Sequence, residues 1–372
     1  MKKNTLKVFA ASMLFTLASC DLIDDAIGGI NKKELKYIDE YVIPDGTMYE
    51  GTLVGGLSSI DYAEDIWYLI ADDPADARFY KANIQYDENG FSGLDLTKVV
   101  KLQDANGQAF APGTVDPEAI RFANGKVVWT SEGNINNGVD PFVRTATFGG
   151  MYLEEANLPS RYAVSADETK GPRQNGTFEG ISLSYDASGY WVTMELPLRQ
   201  DGPAPTTQDT DSPVRIAYID AASNTFGKEF AYELDPVVRP AANGSTFELN
   251  GVVELLQYDD YKFLFLERSF STGYDDGGNN VKIYDVDISN ATDISGMDAL
   301  VGAEYTPATK TLLFDFEDIR DQLTDGVVDN IEGIAFGPDF ANGNKSVVLV
   351  ADNNFSAFGP QLNQFVLFEL LD

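Results

Sequence analysis

The residues of this sequence that could do chemistry are acidic, and they recur along the chain. Four glutamates sit in similar short apolar segments, namely Glu118, Glu179, Glu254 and Glu332. A second acid follows each of them, at the end of the next apolar segment: Glu132, Glu195, Glu267 and Asp352. In an earlier segment of the same kind, Asp72 or Asp73 takes this second place. Carboxylate oxygens are the ligands of hard cations, so the pattern predicts a divalent cation, Ca²⁺ first and Mg²⁺ second.

Two features of the composition restrict the chemistry further. The chain has no histidine, and Cys20 is its single cysteine. Mechanisms built on imidazole are therefore excluded, as are disulfides and cysteine metal sites in the mature domain. An enzyme with this composition must use carboxylates, hydroxyls, lysine, arginine or an oxygen-bound cation. Arg268 is the basic residue nearest the acids, and we expect it to pair with one of them or to contact an anionic substrate group.

The segments that carry the acids have the composition of short β-strands. Residues 66–70, 126–129, 190–194, 262–266 and 346–350 are rich in β-branched and aromatic side chains and are bounded by turn residues. The order of strand, turn, strand and acid recurs five times along the chain, and two further strands follow each of the first four units. This pattern predicts an all-β fold, a β-propeller of four-stranded blades. We count five blades, or six if an insertion conceals one, and a pair of β-sandwiches is the alternative.

The propeller arrangement would bring the recurring acids together. The first strand of a blade lines the central channel and the second runs antiparallel to it, so the start of one and the end of the other share one end. We therefore expect an inner ring of the four glutamates at one mouth of the channel, with the second acids just outside it. The alternative is that each carboxylate caps a turn in its own blade. The last unit lacks a fourth strand, which we predict comes from residues 41–52.

The N-terminal residues predict export. Lys2 and Lys3, the apolar run of residues 8–17 and the sequence Leu17-Ala18-Ser19-Cys20 are typical of a lipoprotein signal peptide. We divide the chain into a signal peptide (1–19), a lipidated Cys20 with a tether (20–43) and a propeller domain (44–372). The apolar run is too short to span a bilayer. The protein is thus expected to be exported and held at a membrane, the outer membrane in our interpretation, by the lipid on Cys20.

The charge of the chain bears on its partners. The formal net charge is -33 at pH 7, which repels nucleic acid, so no nucleic-acid partner is expected. We expect a monomer whose other partner is a small molecule.

Several motifs, taken in order along the chain, resemble those of the family described as "esterase-like activity of phytase". They are residues 55–58 with 70–73, 116–120, 175–180, 266–269, and 330–333 with 352–355. The resemblance covers nearly the whole mature chain. It implies hydrolysis of phosphate esters such as phytate outside the cytoplasm, with calcium-dependent propeller phytases as a mechanistic analogue. Ala119 departs from the pattern, because Gly180 and Gly333 follow the glutamate in two of the other repeats.

Two functional hypotheses follow. The first is a metal-dependent phosphoesterase in which Glu179, Glu332 and Arg268 are catalytic and the cation ligands are Glu118, Glu132, Glu179, Glu195, Glu254, Glu267, Glu332 and Asp352. The second is a non-catalytic surface lipoprotein that presents aromatic side chains, Trp67, Trp129 and Trp191 among them, to a glycan or a protein. The position of these tryptophans inside predicted strands favours core packing instead.

Overall fold

The computed structural model describes residues 33–357 and 359–371. The predicted signal peptide, Cys20 and most of the predicted tether lie outside the described residues. The described part forms five four-stranded antiparallel sheets and one two-stranded sheet, so the predictions of an all-β fold and of four strands per blade are confirmed. No helix in residues 33–357 or 359–371 has the length and apolar character needed to cross a membrane.

The first three blades follow one another along the chain, each running from the innermost strand outward. Blade one contains β4 (Leu57–Ala63), β5 (Ile66–Ala71), β6 (Arg78–Asp87) and β7 (Gly90–Lys101). Blade two contains β8 (Pro117–Ala123), β9 (Lys126–Ser131), β10 (Phe142–Ala146) and β11 (Tyr152–Glu155). Blade three contains β12 (Phe178–Leu183), β13 (Gly189–Met194), β14 (Pro213–Asp220) and β15 (Thr225–Glu233).

The last two blades complete a ring. Blade four contains β16 (Glu248–Asp259), β17 (Lys262–Ser271), β18 (Asn279–Asp287) and β19 (Thr309–Asp315). Blade five contains β20 (Ile331–Phe336), β21 (Lys345–Ala351), β22 (Asn363–Leu371) and β1 (Glu34–Ile43). The innermost strands contact one another in the order β4, β8, β12, β16 and β20, and β20 contacts β4. The described chain is thus a five-bladed propeller, the number of blades that the five repeats predicted.

The N-terminal strand closes the ring as predicted, but it begins and ends earlier than the sequence suggested and overlaps the predicted segment only at residues 41–43. β1 (Glu34–Ile43) pairs with β22, whereas residues 41–52 were predicted to do so and residues 34–43 were assigned to the tether. A bulge between Tyr37 and Asp39 interrupts the alternation of buried and exposed side chains that marks a strand. The chain then turns at Pro44, and β2 (Met48–Tyr49) and β3 (Thr52–Leu53) form a separate hairpin.

Apolar side chains fill the spaces between neighbouring blades. Trp67 and Tyr80 of blade one, for example, share a cluster with Val348 and Phe365 of blade five. Three tryptophans belong to this core, with exposed fractions of 2%, 1% and 8% for Trp67, Trp129 and Trp191. They pack the blades together, so they are not presented to a partner.

A buried ion pair closes the middle of the ring. The guanidinium of Arg121 lies 2.9 Å from the Glu254 carboxylate, and both side chains are almost fully buried. Arg121 also donates to backbone carbonyls of four innermost strands, those of Ile60, Ile120, Leu255 and Ile334. Glu254 accepts a hydrogen bond of 2.7 Å from the backbone N–H of Ile181 on the fifth. The strands approach so closely that a Cβ on Gly180 would lie 2.7 Å from the Cα of Glu254.

Candidate metal centre

The strand register defines two equivalent positions in every blade. In every blade, the pairing of the innermost strand with the second strand has a shift of register, and one residue pair directly precedes it: Leu57 and Ala71, Pro117 and Ser131, Phe178 and Met194, Val252 and Glu267, Ile331 and Ala351. The residue after the first member of each pair is the inner position, held by Ser58, Glu118, Glu179, Val253 and Glu332. The residue after the second member is the outer position, held by Asp72, Glu132, Glu195, Arg268 and Asp352. All ten lie at one mouth of the channel, which we call the acidic mouth.

Two of the predicted ligands do not belong to this mouth. Glu254 and Glu267 are each displaced by one residue from the positions that the other blades use, so their side chains point elsewhere. Glu254 pairs with Arg121 in the centre of the ring. Glu267 accepts hydrogen bonds from Tyr232 at 2.5 Å and from Lys310 at 2.7 Å. The prediction that these two glutamates join the cluster is therefore wrong.

The remaining acids form two sets of converging carboxylates. Asp72, Asp116 and Glu118 each offer an oxygen within 4.8 Å of the other two. Glu118, Glu132 and Glu179 do the same. Asp116 was not among the predicted ligands. Its place two residues before Glu118, in the same motif, could have identified it.

Arg268 occupies the outer position of blade four, where the other blades have a carboxylate. Its guanidinium lies 3.2 Å from Glu195 and 3.0 Å from Glu332, which is the pairing with the acids that the sequence suggested. The charge of Asp352 acts on both Arg268 and Glu332. Arg268 is thus the counterion of Glu195 and Glu332, and its charge also acts on Glu179 of the second carboxylate set.

The carboxylates of the acidic mouth differ in whether the protein donates hydrogen bonds to them. Glu132 accepts a hydrogen bond of 2.6 Å from the Thr177 N–H, and Asp352 accepts one of 2.7 Å from the Asn354 N–H. Glu118 and Glu179 are only 7% and 8% exposed, yet no residue in the described ranges donates a hydrogen bond to either carboxylate or forms an ion pair with it.

One further oxygen, Oδ1 of Asp72, is buried without a partner in the described structure. Leaving a buried acceptor unsatisfied costs about 1–3 kcal/mol, and more for a charged group. The residues present therefore fit a cation.

Burial and like charge make these carboxyl groups weak acids. Burial, and next the charge of Glu179, raise the pKa of Glu118 well above its usual range. Burial, and next the charge of Glu195, raise the pKa of Glu132 to about 8. Burial raises the pKa of Glu195 to about 7 although Arg268 is near, and it raises the pKa of Asp352 to about 7. Groups that titrate near neutral pH can give or take a proton there.

The backbone beside Asp352 is strained. Asn354, Phe355 and Ser356 have φ angles of 45°, 48° and 56°, a left-handed conformation that residues other than glycine rarely adopt, least of all three in succession. Strain of this kind costs about 1–3 kcal/mol per residue and concentrates at functional sites. Its place next to Asp352 supports a functional role for this mouth.

The fold and this mouth define the class of the protein, a five-bladed β-propeller with a buried cluster of carboxylates at one end of its channel. The chain belongs to the phytase-like family, described as "esterase-like activity of phytase", and the family profile matches residues 52–355. No curated protein matches the chain.

Solved structures with a similar chain trace include three proteins of low identity. A xylan β-1,4-xylosidase from Bacillus halodurans is 10% identical, with 80% of this chain and 49% of that chain covered and a TM-score of 0.43. An α-L-arabinofuranosidase from Clostridium thermocellum is 11% identical, with 83% and 88% covered and a TM-score of 0.41. The major allergen Mala s 1 of Malassezia sympodialis is 10% identical, with 85% and 92% covered and a TM-score of 0.40. The chain spans about half the length of that xylosidase, and likenesses this distant carry no argument about activity.

Proposed function

We propose that the protein is an exported, lipid-anchored phosphoesterase that uses divalent cations, Ca²⁺ first, held at the acidic mouth. The observation that carries this proposal is the pair of buried carboxylates, Glu118 and Glu179, to which the described protein offers no hydrogen-bond donor. Family membership supports the reaction class, since the family is described by an esterase-like activity of phytase.

Charge explains why a cation is needed for such a substrate. The chain carries a formal charge of -33, and its mouth places many carboxylates around a single guanidinium, an environment that repels a phosphate ester. A bound divalent cation supplies attraction for phosphate oxygens and lowers the pKa of a coordinated water.

In this proposal the residues of the mouth have separate roles. Asp72, Asp116, Glu118, Glu132 and Glu179 hold the cation side of the mouth. Arg268 neutralises Glu195 and Glu332 and offers positive charge to an anionic group of the substrate. Glu195 and Asp352, each with a pKa of about 7, are suited to carry a proton to or from the reacting group.

The alternative is a glycan-binding or protein-binding lipoprotein that presents aromatic side chains to its partner. Its main support was the three tryptophans, and all three are buried between blades.

Calcium is expected to stabilise the wild-type protein and to support hydrolysis of a phosphomonoester. A ligand bound only by the folded state at 100 times its Kd adds about 2.7 kcal/mol to the free energy of unfolding. Glu179→Gln should lose most of that stabilisation and the activity, because it removes a charge from the mouth without changing the size of the side chain. The effect should also fade at low pH, where the ligands become protonated.

The control is Glu317→Gln, at a side chain that is 56% exposed and belongs to neither set of converging carboxylates. It should behave as the wild type in thermal unfolding with and without Ca²⁺ and in phosphate release. If calorimetry detects no binding of Ca²⁺, Mg²⁺ or Mn²⁺ and none of them supports cleavage, the proposal is wrong.

The lipid anchor is tested separately. Cys20→Ala is expected to leave the precursor unprocessed or to release the protein from the membrane fraction, because Cys20 is the only cysteine of the chain. Cell fractionation and labelling with a fatty acid measure this. Label on the Cys20→Ala protein would contradict the proposal.

A further inference from the structure

We propose that Arg173 and Arg199 form a binding site for an oxyanion, the carboxylate or phosphate group of a small molecule, on the rim of the acidic mouth at blade three. The site holds its ligand with arginine side chains and needs no cation, so it does not rest on the proposed phosphoesterase reaction. The starting observation is that these two arginines lack the acidic partner that every other arginine of the chain has.

The two arginines differ from all others in their ion pairs. Eight of the ten arginines of the chain pair with an aspartate or a glutamate, namely Arg78, Arg121, Arg144, Arg161, Arg215, Arg239, Arg268 and Arg320. Neither Arg173 nor Arg199 pairs with a carboxylate of residues 33–357 or 359–371. The chain has 59 aspartates and glutamates against 26 lysines and arginines, so an acidic partner is the ordinary environment of an arginine here.

Backbone contacts hold the two side chains in place. Arg173 donates from Nε to the carbonyl of Pro197 at 3.1 Å and from Nη2 to that of Gly202 at 2.9 Å. Arg199 donates in return from Nη1 to the carbonyl of Pro172. Each of the two segments thus binds the arginine of the other. Both guanidinium groups are therefore positioned before a ligand arrives, which lowers the entropy cost of binding.

Each guanidinium keeps N–H groups for a ligand. Nη1 of Arg173, and Nε and Nη2 of Arg199, have no acceptor among the residues that the structure describes. None of these three nitrogens is a buried atom without a partner, so solvent, and hence a ligand, can reach each of them. The planar fork of a guanidinium matches the oxygens of a carboxylate or a phosphate group, which accept two parallel hydrogen bonds from it.

The charges of the two side chains favour an anion between them. Burial, and next the charge of Arg199, lower the pKa of Arg173, which is the effect of like charges without a counterion. A bound anion would relieve this repulsion. The net charge of -33 does not prevent binding, because charges more than about 10 Å away are largely screened at an ionic strength of about 0.1 M.

The site lies beside the acidic mouth and outside its carboxylates. Arg173 precedes Glu179 in the segment that leads into β12, and Arg199 follows Glu195 in the segment that leaves β13. The contact of Arg173 with Pro197 is made two residues beyond Glu195 along the chain. An anion bound to the two arginines therefore lies next to the mouth without displacing any of its carboxylates.

The test is anion binding in the presence of EDTA, which keeps divalent cations away from the acidic mouth. Titration calorimetry with inorganic phosphate and with succinate, at an ionic strength of about 0.1 M, should detect binding of at least one of them to the mature protein. Arg173→Gln combined with Arg199→Gln should weaken that binding at least about tenfold, because charge-assisted hydrogen bonds are lost. The control is Arg144→Gln, at an arginine that pairs with Glu155, and it should bind as the wild type does.

A chemical measurement on the wild type covers the case in which circular dichroism shows the double variant to be unfolded. Phenylglyoxal modifies accessible arginines, and mass spectrometry of the digested protein locates the modified residues. The anion that binds should slow the modification of Arg173 and Arg199 but leave that of Arg144 unchanged.

The outcomes decide both the site and its ligand. Binding of phosphate alone, of succinate alone or of both supports the site and identifies the anionic group that it takes. The absence of binding, full affinity in a folded double variant, or equal modification of the two arginines with and without the anion would overturn the inference. A protein that cleaves no phosphomonoester but binds an anion through these arginines would support the inference and contradict the proposed function.

Discussion

Replacing Arg121 by methionine is expected to lower the free energy of unfolding by about 3–5 kcal/mol, the range for breaking a buried ion pair on one side. Methionine fills much of the volume, but it leaves the Glu254 carboxylate, with no exposed surface, without its counterion. It also removes the donor from carbonyl groups of four innermost strands, including those of Ile60 and Ile334. Equilibrium unfolding in urea, followed by tryptophan fluorescence, measures the loss.

Two companion variants make this result specific. Adding Glu254→Gln to Arg121→Met should recover part of the loss, since the uncompensated charge disappears while the amide oxygen can still accept from the Ile181 N–H and the amide N–H can donate to the Ser59 hydroxyl. Lys345→Met, at a side chain that is 54% exposed, should change stability by less than about 0.5 kcal/mol. A loss below about 1 kcal/mol for Arg121→Met would show that the central pair does not hold the blades together.

In the absence of divalent cations, the protein is expected to lose stability as the pH rises from about 4.5 to 8. The pKa of Glu132 is raised to about 8, and those of Glu195 and Asp352 to about 7, with burial the main cause in each case. In the unfolded chain such groups ionise near pH 4. The folded state therefore binds more protons across this window, and its stability falls with increasing pH.

The expected size of this effect is large. A tenfold difference in proton affinity corresponds to about 1.4 kcal/mol, so even one of these groups implies a loss of about 3 kcal/mol. Acids with a lowered pKa, such as Asp186 at about 2, act in the opposite direction but only below this window.

Urea unfolding at pH 5 and pH 8 in EDTA, repeated with excess Ca²⁺, tests the prediction. Calcium should restore the stability at pH 8 and add little at pH 5. Equal stability at both pH values in EDTA would contradict it.

The repeats carried enough information to predict the architecture. Each blade repeats one order of strands, so the number of strands per blade and the closure by an N-terminal strand followed from the sequence. The identity of that strand did not, because the bulge between Tyr37 and Asp39 disturbs its alternating pattern. The segment predicted in its place includes Pro44, where the chain turns.

The residues of the candidate site could be predicted where the repeated glutamate occupies the same strand position in each blade. In blades two, three and five, a glutamate precedes Ala119, Gly180 or Gly333, and aligning glutamate with glutamate gave the right positions. In blade four the same alignment gave Glu254, which is one residue too far along. A better guide was the fully buried apolar residue that every innermost strand shares, namely Ile60, Ile120, Ile181, Leu255 and Ile334. Aligning Leu255 with the isoleucines puts Val253, not Glu254, at the inner position. The cross-strand partner of Leu255 is Phe265, and Arg268 follows it by three residues, as the outer residue does in the other blades.

The direction of β1 decides the end of the propeller at which the described chain begins. Glu34, the first residue of β1, pairs with Leu371 at the end of the last blade opposite the mouth, whereas Ile43 pairs with Asn363 at the mouth end. The described chain therefore enters the propeller at the end opposite the acidic mouth, and β1 runs toward the candidate site.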